Sequence, residues 1–477
     1  MTPSAEPDRA AAMEDLARRL VDLARRRGAR FADVRVQHRR ASGFLVQDGR
    51  ADKLSGASDR GVGVRVLVGR AWGFASADSL DPRRAERCLD DALALARASE
   101  HFVRDPAMIA DVRPVEAVAL AEPAVHPASM SVRQKAARLM DLERAGRDAG
   151  AGRIVNSIVS YSDTVREECL ANTAGTFLRS ADAYAVCTAL MVASDGKILQ
   201  RGVENRAIAG GAELLARTHP EEFSVRAARK ALDLLKAGPA PAGRFTVLFH
   251  PSITGLLVHE ALGHNAEADA VWAGQSILEG RLGDSVAPPA VSIYDDSTLP
   301  GAFGSYAYDS EGTPSRRRPI IVSGRFVGLL HDLESAARFG AEPTGSARAE
   351  SYDCRPIPRM TNTFMERGTV GFDEMVRGVE RGIYLEEGHW GYVMVEKGQF
   401  ICHAGLAHRI EHGKVADPLR DVSISSLTLD TLKNIDAVGS DFEMKMPGMC
   451  GKQGQSAPTD CGGPHVRVRD VVVGGQR

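Results

Sequence analysis

The sequence predicts an α+β protein in which small N-terminal α+β units precede a β-rich C-terminal domain that carries one apolar helix. Three observations predict it. Helical and alternating apolar patterns succeed one another through the first half of the chain. The run Gly238-Pro239-Ala240-Pro241-Ala242-Gly243 then interrupts both periods. Beyond it, short apolar runs lie between Gly and Pro turns, and a single apolar helix stands among them.

The elements follow in order. Met13, Leu16, Leu20, Leu23 and Ala24 repeat with a helical period that ends near Gly28. Phe31–Val36 and Phe44–Val46 read as two strands, with a turn at Asp48-Gly49. Val62, Val64, Val66 and Val68 alternate as a third, and Gly69-Arg70 turns the chain toward a partner over Trp72–Ser76. Asp81-Pro82 supplies an N-cap and a first helical residue for a helix with Cys88, Leu89, Ala92, Leu93 and Ala96 on one side. Asp105–Pro127 reads as a connector, and Ser129–Ala149 as a helix. Ile154–Ile208 reads as successive strands, and Ser224–Ala237 as a helix. After the Gly/Pro run come a strand at Arg244–Phe249 and a helix at Ser252–Ala261. Short strands are expected at Val291–Tyr294, Pro319–Val322, Phe326–Leu330, Tyr392–Val395, Gln399–Cys402 and Val466–Val473. The expected domains are residues 1–104, 128–237 and 244–477.

The composition narrows the function classes. Hydrophobic residues make up 44% and charged residues 26%, which excludes a disordered chain, a collagen and a coiled-coil rod. A net charge of −2 supplies no global basic field for a nucleic acid. No apolar run reaches the ~18–20 residues that cross a bilayer, and Met1–Arg30 has no apolar stretch of the signal-peptide kind. A cytoplasmic protein with no nucleic-acid or membrane partner is the expectation. Seven Cys, an odd and scattered set, do not make a disulfide framework, so each is a core residue or a metal or catalytic thiolate.

The helix near residue 257 carries the chemistry. It reads Leu256-Leu257-Val258-His259-Glu260-Ala261-Leu262-Gly263-His264-Asn265. Zincins place two His four apart on one helix face. Here they are five apart, about 140° out of line on a straight helix. Gly263 is expected to end the helix or open a bulge, so that His264 returns toward His259. Glu260 is placed to accept a proton from attacking water. Asn265, Glu267 and Asp269 are candidates for a supporting shell.

A catalytic zinc normally takes three protein ligands, and the residues leave the third open. Cys450 lies between glycines, beside Lys452, which favours thiolate. Cys461 and the cluster His403, His408 and His412 are the other candidates.

The stretch His259-Glu260-Ala261-Leu262-Gly263-His264-Asn265-Ala266-Glu267-Ala268-Asp269 resembles the His-Glu-x-x-Gly-His-x-x-Glu-x-Asp signature of the TldD/PmbA metalloproteases. Asp295–Gly301, Glu311–Pro314, Arg355–Thr363, Leu432–Ile435, Gly448–Gln455 and Gly462–His465 resemble further stretches of that family, and the match is closest to its TldD branch. The resemblance implies zinc held by His259, His264 and Cys450, with Glu260 as general base. It implies proteolysis of unfolded peptides in an enclosed cleft. It also implies a dimer, either of two like subunits or with a PmbA-like subunit. The alternative is a non-catalytic PmbA-like peptide-binding subunit, whose metal helix would be broken. Two departures stand out: Glu386–Tyr392 replaces a glycine run, and Cys461 replaces a small residue.

Overall fold

The structure, a computed structural model, describes residues 5–111 and 113–475. The first four residues of the Met1–Arg30 reading lie outside it. The fold is mixed α and β with a β-rich C-terminal region.

Helix α1 (Ala5–Arg26) precedes three strands: β1 (Phe31–Gln47), β2 (Arg50–Val68) and β3 (Ala71–Ala77). Helix α2 (Pro82–Ser99) starts at Asp81, whose side chain accepts the Arg84 N–H at 3.0 Å. Strand β4 (Glu116–Leu120) lies inside the stretch read as a connector. Helix α3 (Val132–Ala149) opens with a capping box formed by Ser131 and Gln134. Then come β5 (Ile154–Asn172), β6 (Phe177–Ser194), β7 (Leu199–Ile208), α4 (Glu213–Arg217) and α5 (Ser224–Lys236).

All seven strands form one sheet in the order β3-β2-β1-β5-β6-β4, with β7 also on β6. β4 runs parallel to Phe177–Ala181, and β7 pairs antiparallel with Ala185–Ser194, so they share one edge of β6. The two strands expected at Phe31–Val36 and Phe44–Val46 are one. The polar stretch between them interrupts the apolar pattern, but it is paired on both sides, to β2 and to β5.

The even-numbered residues of β1 explain the helices. Ala32, Val34 and Val36 pack with α1 and α2, while Phe44 and Val46 pack with α3 and α5. The odd-numbered face meets the C-terminal half. There Asp33 and Glu311 both pair with the buried Arg65, with Glu311 at 2.6 Å from its Nη2. Arg35 donates to the carbonyl oxygens of Ser351 and Cys354.

The Gly/Pro run does not exclude pairing as expected. Gly238–Pro239 pairs parallel with Leu419–Arg420, at the end of a sheet where a missing N–H is tolerated. Beyond it, five strands close into a ring. Gly243–Phe249 pairs with Arg381–Met394 and Val466–Gly475; the latter pairs with Val422–Leu427, which pairs with Gln399–Glu411, which returns to Arg381–Met394. The runs read at Tyr392–Val395 and Gln399–Cys402 are parts of these longer strands. The strand expected over Phe326–Leu330 shrinks to Arg325–Phe326, although the Val327 N–H still donates to the Ile320 carbonyl at 2.9 Å and Gly328 passes beside Pro319. Ring residues Phe249, Leu385, Phe400 and Ile424 share a core with Ile253, Leu257 and Ala261. The helix with the two His is therefore seated on the ring. Among the described residues, no helix is long and apolar enough to cross a membrane.

Candidate metal centre

The helix begins at His250, whose Nδ1 accepts the Ser252 N–H at 3.2 Å, and Pro251 takes the first helical position. Pro251–Leu256 is α-helical and buried at every residue. Leu257–Gly263 then adopts a π-helix, and the His264 N–H donates to the His259 carbonyl. A π-turn closes from residue i to i+5, so residues five apart stand over one another. The two rings meet edge to face, with centroids 5.3 Å apart.

The bulge expected around Gly263 is present, but what requires glycine there is space. Gly263 has φ −59° and ψ −48°, values open to any residue. A Cβ there would fall 1.9 Å from the Sδ of Met360. Met360 is fully buried and packs with Leu330 and Cys450. The missing side chain thus lets the segment behind Cys450 reach the helix.

Cys450 lies on Gly448–Lys452, which forms a hairpin with Gln455–Gly463. Both turn residues, Gln453 and Gly454, have positive φ, which suits a tight hairpin. One ligand atom each from His259, His264 and Cys450 lie within 4.8 Å of one another. Cys450 Sγ is 3.3 Å from His264 Nε2. Burial raises the Cys450 pKa, but the two imidazoles outweigh it and hold the thiol at about 4.

Glu267 and Asp269 do support the site. Glu267 Oε2 lies 3.1 Å from His264 Nδ1 and 3.1 Å from Lys452 Nζ. Lys452 also reaches Asp269 at 2.6 Å. Arg359 Nε stands 3.8 Å from Glu267, and its guanidinium donates to the Cys450 carbonyl. Burial raises the Glu267 pKa, yet Lys452, His264 and Arg359 bring it down to about 2. Asn265 instead bonds the Ala261 carbonyl and the Ile277 N–H.

The donor set suits a metal of borderline softness. Two imidazoles and a thiolate are zinc ligands, and an imidazole steered by a carboxylate on its far nitrogen is the usual support for one. His259 Nδ1 is buried without a hydrogen-bond partner. Such an orphan costs about 1–3 kcal/mol in a closed protein. Among the described residues this is the one group of three His, Cys or acidic side chains so placed.

Family models for the PmbA/TldA metallopeptidase match three stretches: domain 1 at residues 32–96, the central domain at 125–235 and the C-terminal domain at 242–475. A metalloprotease of Methanothermobacter thermautotrophicus is 37% identical, over 93% of this chain and 95% of that one. The chain belongs to the PmbA/TldD family of metalloproteases. A zinc metalloprotease TldD homolog of Saccharolobus solfataricus is 26% identical, over 94% of this chain and 97% of that one. A crystal structure from Thermotoga maritima, described as a putative modulator of a DNA gyrase, superposes with a TM-score of 0.77 at 25% identity, covering 97% of this chain and all of that one. TldE of Thermococcus kodakarensis shares the fold, with a TM-score of 0.75 at 19% identity and coverage of 97% and 100%.

Other stretches that carry the resemblance to the PmbA/TldD family brace the site. Asp295 is fully buried and pairs with Arg318. It also accepts the Thr361 N–H at 2.8 Å and the Thr363 hydroxyl at 2.8 Å. Arg359, Met360, Thr361 and Asn362 are all buried and bonded inward, so this segment is not a peptide-docking surface. Arg318 was invisible in the sequence, one of three consecutive arginines with no pattern to distinguish it.

Of the remaining candidates, Cys461 lines the cleft over the centre but stands outside the three-ligand group, and His403, His408 and His412 do not join that group either. Cys461 is buried, with Sγ 3.7 Å from the Met446 carbonyl, and burial raises its pKa well above the usual value. His408 bonds Glu386 at 2.6 Å, His403 stacks on Trp390, and the exposed His412 pairs with Glu380. A cleft of about 1070 Å³ opens over the centre, lined by His259, Glu260, His264 and Cys450, and walled by β7, α5 and the stretch around Glu386–Tyr392. Burial raises the pKa of Glu260, against the lowering effect of the two His.

Proposed function

We propose that this metalloprotease is zinc-dependent and hydrolyses peptide bonds in unfolded or extended peptides held in the cleft. The observation that carries the reading is the convergence of His259, His264 and Cys450 on one point of the cleft, with Glu260 beside the first of them. Zinc held by these three would supply Lewis acidity toward the scissile carbonyl and lower the pKa of water at the site.

The chain's own groups do the rest. Glu260 accepts the proton of the attacking water and returns it to the leaving amine. Glu267 fixes the ring of His264, and Lys452 and Arg359 hold Glu267 and the Cys450 strand together. Among the described residues the Gly448–Lys452 strand pairs on one side only, with Gln455–Gly463, which leaves its other edge for the backbone of an extended substrate. The S. solfataricus relative named a zinc metalloprotease supports the choice of metal. The same family resemblance supports a cytoplasmic dimer, of two copies or with a PmbA-like subunit.

Metal analysis with a casein or short-peptide assay tests the reading, comparing wild type with His259→Ala. Wild type is expected to hold about one zinc per chain and to cleave, and the variant to do neither. Equal zinc and equal cleavage in both proteins would overturn it.

A further inference from the structure

A second cavity, of about 480 Å³, lies between the first sheet and the C-terminal domain. Its walls continue those of the cleft. Val203–Ile208 face the cleft and Ala209 and Gly210 face the cavity, while Met449, next to Cys450, faces both. Met449 is large and apolar, yet 49% exposed.

Three guanidinium groups line this cavity. Arg39 and Arg166 stand directly opposite one another on β1 and β5. Like charges in that relation are destabilising. Asp182 pairs with Arg166 at 2.6 Å. Arg348 enters from the C-terminal domain and spends one nitrogen on the carbonyl oxygens of Met360 and Pro458, at 2.8 and 2.6 Å. Burial draws its pKa down to about 10, and the charges of Arg359 and Arg166 add to the effect. Neither Arg348 nor Arg39 has a carboxylate partner among the described residues.

Most of the acidic groups in the lining are already committed. Glu168 accepts from Gln37 at 2.9 Å, and Glu350 accepts the Ser456 N–H at 2.7 Å. Asp309 accepts the N–H groups of Glu311, Thr313 and Ala347. Glu122 is exposed. The donors left without a carboxylate are the planar forks of Arg39 and Arg348, the geometry that takes a carboxylate in two parallel hydrogen bonds. Tyr184 and Phe303, edge to face at 6.0 Å, add an apolar wall for a side chain.

We propose that this cavity binds the C-terminal carboxylate of a peptide whose chain runs past Met449 from the metal centre, so that cleavage falls a few residues from the substrate's C-terminus. The assignment rests on the peptidase reading above. Binding is measured on the Glu260→Gln protein by fluorescence anisotropy, with an N-terminally labelled ten-residue peptide as free acid and as carboxamide. The free acid is expected to bind at least tenfold tighter. Arg348→Gln and, separately, Arg39→Gln are expected to bring it down to the affinity of the amide while leaving amide binding unchanged. Among the described residues the Arg39 side chain makes no hydrogen bond or ion pair, so its variant reads the site without a folding ambiguity. Equal affinity for acid and amide overturns the proposal. Mass analysis of products from the zinc-loaded wild type is the second arm. Cuts near the C-terminus that move or vanish on amidation support the cavity, and a cut pattern indifferent to amidation overturns it. Loss of all cleavage with acid-over-amide binding intact strikes the hydrolytic reading alone and leaves the cavity assignment supported.

Discussion

The backbone N–H of His264 donates to the carbonyl of His259, five residues earlier, and this one bond puts two imidazoles on the same face of a helix. A regular α-helix would aim them apart. The π-turn is locked from outside as much as from within, because Met360 fills the space where residue 263 would carry a Cβ.

Gly263→Ala is therefore expected to destabilise the protein by about 1–3 kcal/mol, the usual cost of overpacking a full core. The effect belongs to the contact with Met360 and not to the backbone, whose angles suit alanine. Combining Gly263→Ala with Met360→Ala is expected to cost less than the sum of the two single changes, since the methionine sulfur is then gone. Denaturation midpoints of the four proteins measure the coupling. Strict additivity would show that Gly263 is required for another reason.

Cys450→Ser is expected to lose most of the bound metal, and Cys461→Ser to keep it. The first sulfur lies 3.3 Å from His264 Nε2; the second points to the Met446 carbonyl, outside the three-residue group. Metal content per chain after gel filtration decides between them, and the reverse pattern would move the third ligand to Cys461.

The sequence showed the helix, its two His, the Gly-flanked Cys and the need for a bulge between the His, because each is a local pattern. It did not show why residue 263 has room for no side chain. Met360 is 97 residues beyond Gly263, and nothing near either position announces the contact. Arg318 and Asp295 were likewise illegible as a pair, since an ion pair across two neighbouring strands with a long connection between them leaves no periodicity. The long β1 reads as two strands because its middle is polar, and pairing on both edges carries the strand through that half-buried stretch. The connector's β4 was missed because its one partner is a strand about 60 residues later.

Glu260 has one close neighbour that the sequence marked only as a departure. A Cβ at Gly391 would lie 3.1 Å from the Cγ of Glu260 and 3.2 Å from the Sγ of Cys402. Glu260→Gln is expected to keep the metal and lose about 10²–10⁴-fold in turnover, the usual worth of a positioned base. Gly391→Ala is expected to keep both metal and carboxylate yet lower kcat, by pressing on the carboxylate's stem. Activity equal to wild type in Gly391→Ala would mean that the strand yields and that the base is not held from this side.

The pH dependence of stability has an identifiable source in Asp295. Burial alone would raise its pKa, but Arg318 and the Thr361 hydroxyl and amide outweigh it and hold the value below the ordinary one. A carboxylate with a depressed folded pKa contributes its stability in full above the unfolded value, near 4, and loses it as pH falls through the lower folded value. Asp295→Asn removes that contribution and leaves Arg318 buried without its counter-charge, a loss on the order of 3–5 kcal/mol at neutral pH. The gap between wild type and variant is expected to be constant from about pH 5 to 8 and to narrow below pH 4, as wild type approaches protonation. Urea midpoints across that range test both the size and the direction. A gap that widens in acid would mean that Asp295 is protonated in the folded protein at neutral pH, and that Arg318 is held by its contacts with Ser297, Thr344 and Gly345 instead.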